Sequence, residues 1–199
     1  MTVAERALLA LLLAGGESRR MGSDKAAIEI GRQTMLARTA GLAAAVTDGV
    51  WVSVRGVEGS DALRRQWPLI EDAPEGQGPL AGILAALRHR DDADWLVLAC
   101  ELPRLDSATL TALSATAGHP DAPAIAMRSE RDGTPEPLCA IWRPAMRARI
   151  EAQLAEDRRC ARRCLLDAAV PLVDAVTQGA LANMNAPEDL AAVLAEDVA

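Results

Sequence analysis

Residues 7–14 form an unbroken apolar run that stops at Gly15-Gly16, and the chain turns basic a few positions later at Arg19 and Arg20. A run this short, ended by glycine, reads as a strand buried on both faces, as in a parallel sheet, and it cannot span a bilayer. No small-residue cleavage site separates it from the rest of the chain, so a secretory leader is not expected. A strand covered on both sides needs helices above and below, which points to the α/β class.

The remainder alternates in the same sense. Short apolar runs at 50–54, 68–71, 94–100, 124–127, 138–142 and, weakly, 170–173 read as strands. Helices are expected at 34–46, at 61–66 and at 82–90, where Ile83, Leu84 and Leu87 recur at helical spacing and Leu80 extends the stripe. Asp106 or Ser107 can cap a further helix through Leu110 and Leu113, Pro144 can open another at its first position, and Pro187-Glu188-Asp189 can begin a last one. A polar turn containing Asp132-Gly133 separates the strands at 124–127 and 138–142. The alternation predicts one domain over 1–199, a three-layer α/β/α sandwich with a mainly parallel, Rossmann-like sheet.

Composition narrows the function. Half the residues are hydrophobic, yet there is no Phe and no Tyr, only Trp51, Trp67, Trp95 and Trp142, so Ala, Leu, Val and Ile must fill most of the core. Aromatic platforms for stacking nucleic-acid bases are nearly excluded, and a formal charge of −7 argues against a broad phosphate-backbone surface. An acidic chain that binds an anionic nucleotide has to concentrate positive charge locally, which singles out Arg19, Arg20 and Lys25. Cys100, Cys139, Cys160 and Cys164 have the spacing of neither a zinc ribbon nor a disulfide framework and are expected to be ordinary thiols; His89 and His119 are too few for a histidine-rich metal site. A soluble, cytoplasmic protein without membrane or nucleic-acid partners is the expectation.

An apolar strand delivering the chain into AGGESRRMG has a physical use. Glycines let backbone amides approach phosphate oxygens, and Arg20 and Lys25 would add fixed charge. The segment is neither a Walker loop nor the dinucleotide fingerprint, and a glycine turn with exposed basic residues would read similarly. The full stretch LAGGESRRMGSDK, residues 13–25, closely resembles the opening signature of the molybdenum cofactor guanylyltransferase family, and further matches continue almost to the C-terminus: EDAPEGQGPLAGILAAL (71–87), LACELPRL (98–105), ERDGTPEPLCAIW (130–142), EDRRCARRC (156–164) and NMNAPEDL (183–190).

The resemblance implies a fold of the nucleotide-diphospho-sugar transferase type, with a nucleotide-binding half at about 7–105 and an acceptor-side half at about 106–199. It implies transfer of GMP from GTP to the phosphate of molybdopterin with release of pyrophosphate, supported by Mg2+. Leu13, Ala14, Gly15 and Gly16 would meet the nucleotide through backbone atoms, Arg20 and Lys25 would hold the triphosphate, and Ser53 and Asp72 would contact the nucleoside. Gly78, Pro79 and Gly82 would permit close approach at a helix start. The family usually has aspartate where this chain has Glu101, the implied metal ligand and a catalytic residue; the extra methylene moves the carboxylate by about 1.5 Å.

On the acceptor side, Arg158 and Arg159, enlarged by Arg162 and Arg163, match a basic pair that could bind the pterin phosphate; a solvated helical face reads equally well. Asn183 and Asn185 could place amides at the carboxyl edge of the sheet, or simply cap the final helix; Ala186 stands where the family has threonine. Transient partners would be molybdenum-insertion proteins or acceptor molybdoenzymes. Two other readings stay open at this level: a CTP-dependent cytidylyltransferase or other small-phosphate nucleotidyltransferase, and a nucleotide-binding partner protein without catalysis.

Overall fold

The computed structural model describes residues 6–15, 24–74, 78–118, 121–184 and 189. Gly16, Arg19, Arg20 and Asn185 lie outside the described residues, as do Pro187 and Glu188, where a final helix was expected to start; Asp189 is helical.

The opening run forms strand β1 (Leu8–Leu13). After it come a 3-10 turn at Lys25–Ala27, a small antiparallel hairpin of β2 (Glu29–Ile30) and β3 (Gln33–Thr34), and helix α1 (Met35–Ala44). The hairpin turns at Gly31, whose φ of 62° lies in the region a side chain disfavours. Strands β4 (Val50–Val54) and β5 (Leu69–Glu71) precede helix α2 (Pro79–His89). Next come β6 (Asp94–Ala99), α3 (Ser107–Ser114), β7 (Ala124–Arg128) and β8 (Pro135–Trp142). Helices α4 (Met146–Ala155) and α5 (Ala161–Asp167) and strand β9 (Leu172–Val173) complete the described elements.

One seven-stranded sheet runs in the order β5-β4-β1-β6-β8-β7-β9. It is parallel except at β8, which is antiparallel to both β6 and β7. The alternation along β1 assigns the layers. Leu9 and Leu11 join a core with Ile83, Leu84 and Leu87 of α2, Met146 and Ile150 of α4 and Leu165 of α5. Ala10 and Leu12 join the opposite core with Leu36 and Ala40 of α1 and Leu110 and Leu113 of α3. Both faces are covered, which is why β1 reads as a continuous apolar run rather than an alternating one.

The tryptophans concentrate where β6 meets β8. Trp95 and Trp142 are register partners and fully buried, and Trp51 meets Trp95 edge-on with ring centroids 5.6 Å apart. Their indole N–H groups donate to the Arg90 and Pro137 carbonyls. At the start of β6, buried Asp94 accepts from Arg143 Nε at 3.0 Å, and that guanidinium also donates to the carbonyls of Ala122 and Ala117. All four cysteines are free thiols, and burial drives the thiols of Cys100, Cys139 and Cys164 upward, that of Cys100 to about 12.

Three expectations need correction. The helix at 61–66 is only a 3-10 turn, Arg64–Gln66: Pro68 lies too close to allow continuation, and the Arg64 side chain turns inward instead of lying on a helix surface. Pro144 stands two residues ahead of α4, and its carbonyl accepts from Arg147 N. Strand β8 begins at Pro135 rather than 138, because its first residues pair across a bulge with Met127 and Arg128. Among the described residues no helix is long and apolar enough to cross a membrane.

Candidate active site

The parallel register aligns the carboxyl ends of three strands, with Leu13 of β1 opposite Ser53 of β4 on one side and Ala99 of β6 on the other. From β1 the chain moves outward to β4 and β5 and then crosses back to β6, so β1 and β6 flank a reversal of strand order, where open α/β sheets form their binding crevices. A cavity of about 270 Å³ opens there. Leu13, Ala14, Gly15, Lys25, Ser53, Asp72, Gly78, Pro79 and Glu101 all line it, nine of the residues singled out from the sequence. Asp24, Arg55, Cys100 and Leu138 line it as well and were not anticipated.

The wall beside β4 and β5 is a packed unit. Ser53 is 2% exposed and its hydroxyl donates a short hydrogen bond to Asp72 Oδ1. Burial raises the Asp72 carboxyl above its usual range, against the opposing pull of the Ser53 bond and the Arg55 charge. Gly82 does not line the cavity. A Cβ there would overlap the Ser53 hydroxyl and lie 2.7 Å from Leu13 Cδ2, so the close approach it permits is that of α2 to β1 and β4. Gly78 ends the preceding loop with φ of 60°, and Pro79 follows at the first turn of α2, where its missing N–H costs nothing.

The wall beside the 3-10 turn and the end of β6 carries an ion pair. Lys25 Nζ donates to Glu101 Oε2 at 2.8 Å, joining the end of the opening signature to the second residue past β6. Asp24 caps the 3-10 turn by accepting from Ala26 N at 3.1 Å. Burial pushes its carboxyl up, but the hydrogen bonds and charge of Arg64 outweigh that and leave it below the ordinary range. Arg38 of α1 donates to the carbonyls of Pro103 and Leu105, fixing the chain just past Glu101.

A second cavity, of about 460 Å³, is lined by Ser129, Glu130, Arg131, Glu136, Arg162, Asn183 and neighbouring residues of the segment 178–182. It adjoins the first through β8, where Glu136 and Leu138 line the second and first cavities respectively. Met184 N donates to the Glu101 carbonyl at 2.9 Å, which sets Asn183 beside the end of β6. Glu130 accepts from the N–H groups of Gly179 and Leu181, holding the backbone that completes the rim.

Arg158 and Arg159 do not line it: they pair with Glu156, Asp167 and Asp157 on the surface. Arg162, on the first turn of α5, faces the cavity and pairs with Asp132 at 3.4 Å and Glu136 at 3.3 Å. The sequence signal that separates them is phase. Arg158 and Arg159 precede α5, whereas Arg162 follows buried Ala161 and precedes buried Cys164 within it.

The chain matches the MobA-like NTP transferase domain over residues 10–174. It is 40% identical over 187 residues to a protein named "Probable molybdenum cofactor guanylyltransferase" from Synechococcus elongatus, covering 90% of this chain and 94% of that one. It is 37% identical to the molybdenum cofactor guanylyltransferase of Rhodobacter capsulatus, covering 91% and 92%. The crystal structure of molybdopterin-guanine dinucleotide biosynthesis protein A from Archaeoglobus fulgidus superposes with a TM-score of 0.80 at 21% identity, covering 96% and 98%, which shows the same fold. A mainly parallel sheet with its cavity at the strand-order reversal, a glycine-rich segment leading to Lys25, and similarity along nearly the whole chain agree: the chain belongs to the MobA-like NTP transferase family.

Proposed function

We propose that this enzyme transfers GMP from GTP to the phosphate of molybdopterin, forming the guanine dinucleotide and releasing pyrophosphate. The observation that carries the reading is the gathering of Lys25, Glu101 and the Ser53–Asp72 pair in one cavity at the ends of β1, β4 and β6. Similarity to guanylyltransferases over about nine-tenths of the chain supports guanine as the base.

The chemistry asks little of a general base. A molybdopterin phosphate oxygen is ionised at neutral pH and attacks the α-phosphorus in line. The new P–O bond forms as the bond between the α-phosphorus and the bridging oxygen breaks, and pyrophosphate departs with that electron pair. What limits the reaction is mutual repulsion of two polyanions, so the protein contributes position and positive charge. Lys25 supplies charge at the triphosphate, joined by Arg20 of the signature segment. Leu13, Ala14 and Gly15 present backbone to the nucleotide. The Asp72 carboxylate, steadied by Ser53, accepts from donors on the base edge.

The residues present fit Mg2+. The ion is usually held by one or two carboxylates with substrate phosphates and water completing the shell, and Glu101 offers one carboxylate, 28% exposed, on the cavity wall. Among the described residues no cluster of three or more ligating side chains would demand a metal caged by protein alone. Bound there, Mg2+ would neutralise triphosphate charge. The reach of Glu101 to Lys25 accounts for how glutamate serves where the family has aspartate: the Lys25 contact steadies its longer side chain.

The second cavity is the acceptor side of this reading, with Arg162 and Asn183 placed to meet the pterin phosphate. On this basis the nucleotide half runs to about residue 105 and the acceptor half follows. The deciding experiment compares pyrophosphate release from GTP, CTP, ATP and UTP with Mg2+ and molybdopterin. GTP should dominate, and a clear preference for CTP would overturn the guanylyl assignment.

A further inference from the structure

Arg64 lies on the 3-10 turn after β4, outside every motif that marks the family in the sequence, yet its side chain is only 11% exposed. All five of its N–H donors are used. Nε and Nη2 converge on the Ala14 carbonyl at 2.9 and 2.7 Å. Nη2 and Nη1 take the two oxygens of Asp24 at 3.0 and 2.7 Å, and Nη1 also reaches Asp61 at 2.5 Å. One guanidinium thus ties the residue that follows the first strand to the residue just before Lys25. Both partners line the nucleotide cavity; Arg64 sits behind them and does not.

Peptide geometry then sets the direction of the next N–H. No cis peptide occurs among the described residues, so the carbonyl of Ala14 and the N–H of Gly15 point to opposite sides of their shared peptide bond. With the carbonyl held on Arg64, the Gly15 N–H faces the other way. A carbonyl turned toward a phosphate chain would repel it, whereas an N–H donates to it.

Building on the guanylyltransferase reading, we infer that Arg64 is a positioning residue of the nucleotide site: it presents the Gly15 N–H to the phosphates and holds Asp24 so that Lys25 stands at Glu101. Lysine cannot replace it, because an ammonium is a point charge with three donors and cannot bridge a carbonyl and a carboxylate along two edges of one plane.

The test measures the Kd for GTP with Mg2+ and the melting temperature of the full chain for the parent, Arg64→Lys, Asp61→Asn and Asp24→Asn. A folded Arg64→Lys protein should bind GTP at least about tenfold more weakly, with Asp61→Asn staying within about threefold because it loses only the outermost contact. GTP binding by folded Arg64→Lys within twofold of the parent overturns the inference. So does a loss in Asp61→Asn as deep as that in Arg64→Lys, which would assign the effect to the turn and not to the fork. Should Arg64→Lys fail to fold, Asp24→Asn carries the same criterion, since it keeps the side-chain size and removes the charge the fork grips. The parent's own affinity for GTP against CTP tests the guanylyl reading separately; the ratio of variant to parent, taken with whichever nucleotide the parent binds, tests Arg64.

Discussion

The two cavities are built by different means. The cavity proposed for the nucleotide stands on three parallel strands whose ends are level, and its polar groups are largely paired with one another before any ligand arrives: Ser53 with Asp72, Lys25 with Glu101, Asp24 with Arg64. The cavity proposed for the acceptor stands beside the antiparallel strand β8 and takes its rim from the loop after β7, the first turn of α5 and the segment 178–183. Its one buried carboxyl, Glu136, is raised by burial and only loosely paired with Arg162. A preorganised site suits a ligand held in one geometry for in-line attack, and a rim drawn from three separate segments suits a larger acceptor that must enter and leave.

Single substitutions should therefore act on one cavity at a time. The largest effect is expected at Lys25. Lys25→Ala should lower kcat by about 10²–10³-fold, as for loss of one preorganised group that stabilises developing charge, with KM for molybdopterin nearly unchanged in steady-state assays. An equal rise in that KM would mean that the cavities are not separable.

Gly82→Ala comes next. The added Cβ displaces Ser53 and Leu13, an overpacking cost of about 1–3 kcal/mol that the better helix propensity of alanine only partly offsets. Denaturant midpoint and GTP affinity should fall together, whereas Gly41→Ala, where nothing lies within 4 Å, should lower neither.

Arg162→Ala should raise KM for molybdopterin about tenfold and leave GTP affinity unaltered, the reverse of the Lys25 pattern. If Arg158→Ala or Arg159→Ala changes that KM by more than about twofold, the assignment of Arg162 over the surface pair is wrong, because exposed ion pairs contribute little.

Acid titration distinguishes the two walls of the nucleotide cavity. The Asp24 carboxyl is lowered from 3.8 in the folded state, so it contributes stability that is present above that value and lost as pH falls through its folded pKa. The Asp72 carboxyl is raised from the same value, so its contribution is present below 3.8 and lost as pH rises through its folded pKa. Chemical denaturation across the acid range should show Asp24→Asn reducing the acid loss of stability and Asp72→Asn removing a slope of opposite sign. The same sign of change for both would show that the two carboxyls share one environment.

Much of this was legible in the sequence where residues act through their neighbours in the chain. The β1 run, the α2 stripe after Pro79 and the Asp106 cap, which accepts from Thr109 N at 2.7 Å, all sit where pattern placed them. Residues that act across the chain were hidden. Arg64 fell inside the helix expected at 61–66, where nothing in the sequence set it apart from Arg65, which is exposed and donates to carbonyls of the loop at Val57, Glu58 and Ser60. Arg162 was indistinguishable from Arg158, Arg159 and Arg163 until the start and phase of α5 were known. Gly82 was recognised as a close approach, but its neighbours turned out to be Ser53 and Leu13.

The sequence by itself determined that a doubly covered strand runs into a glycine-rich, basic segment, and with its later motifs that determined the family. Hydrophobic periodicity and glycine placement are local properties, so one sequence suffices to read them. Only the tertiary structure decided that β8 runs against its neighbours, that the Glu101 carboxylate meets Lys25, and that Arg64 closes the two ends of the opening signature. Each of these depends on side chains tens of residues apart meeting in a common register, and no local preference in the chain encodes that distance.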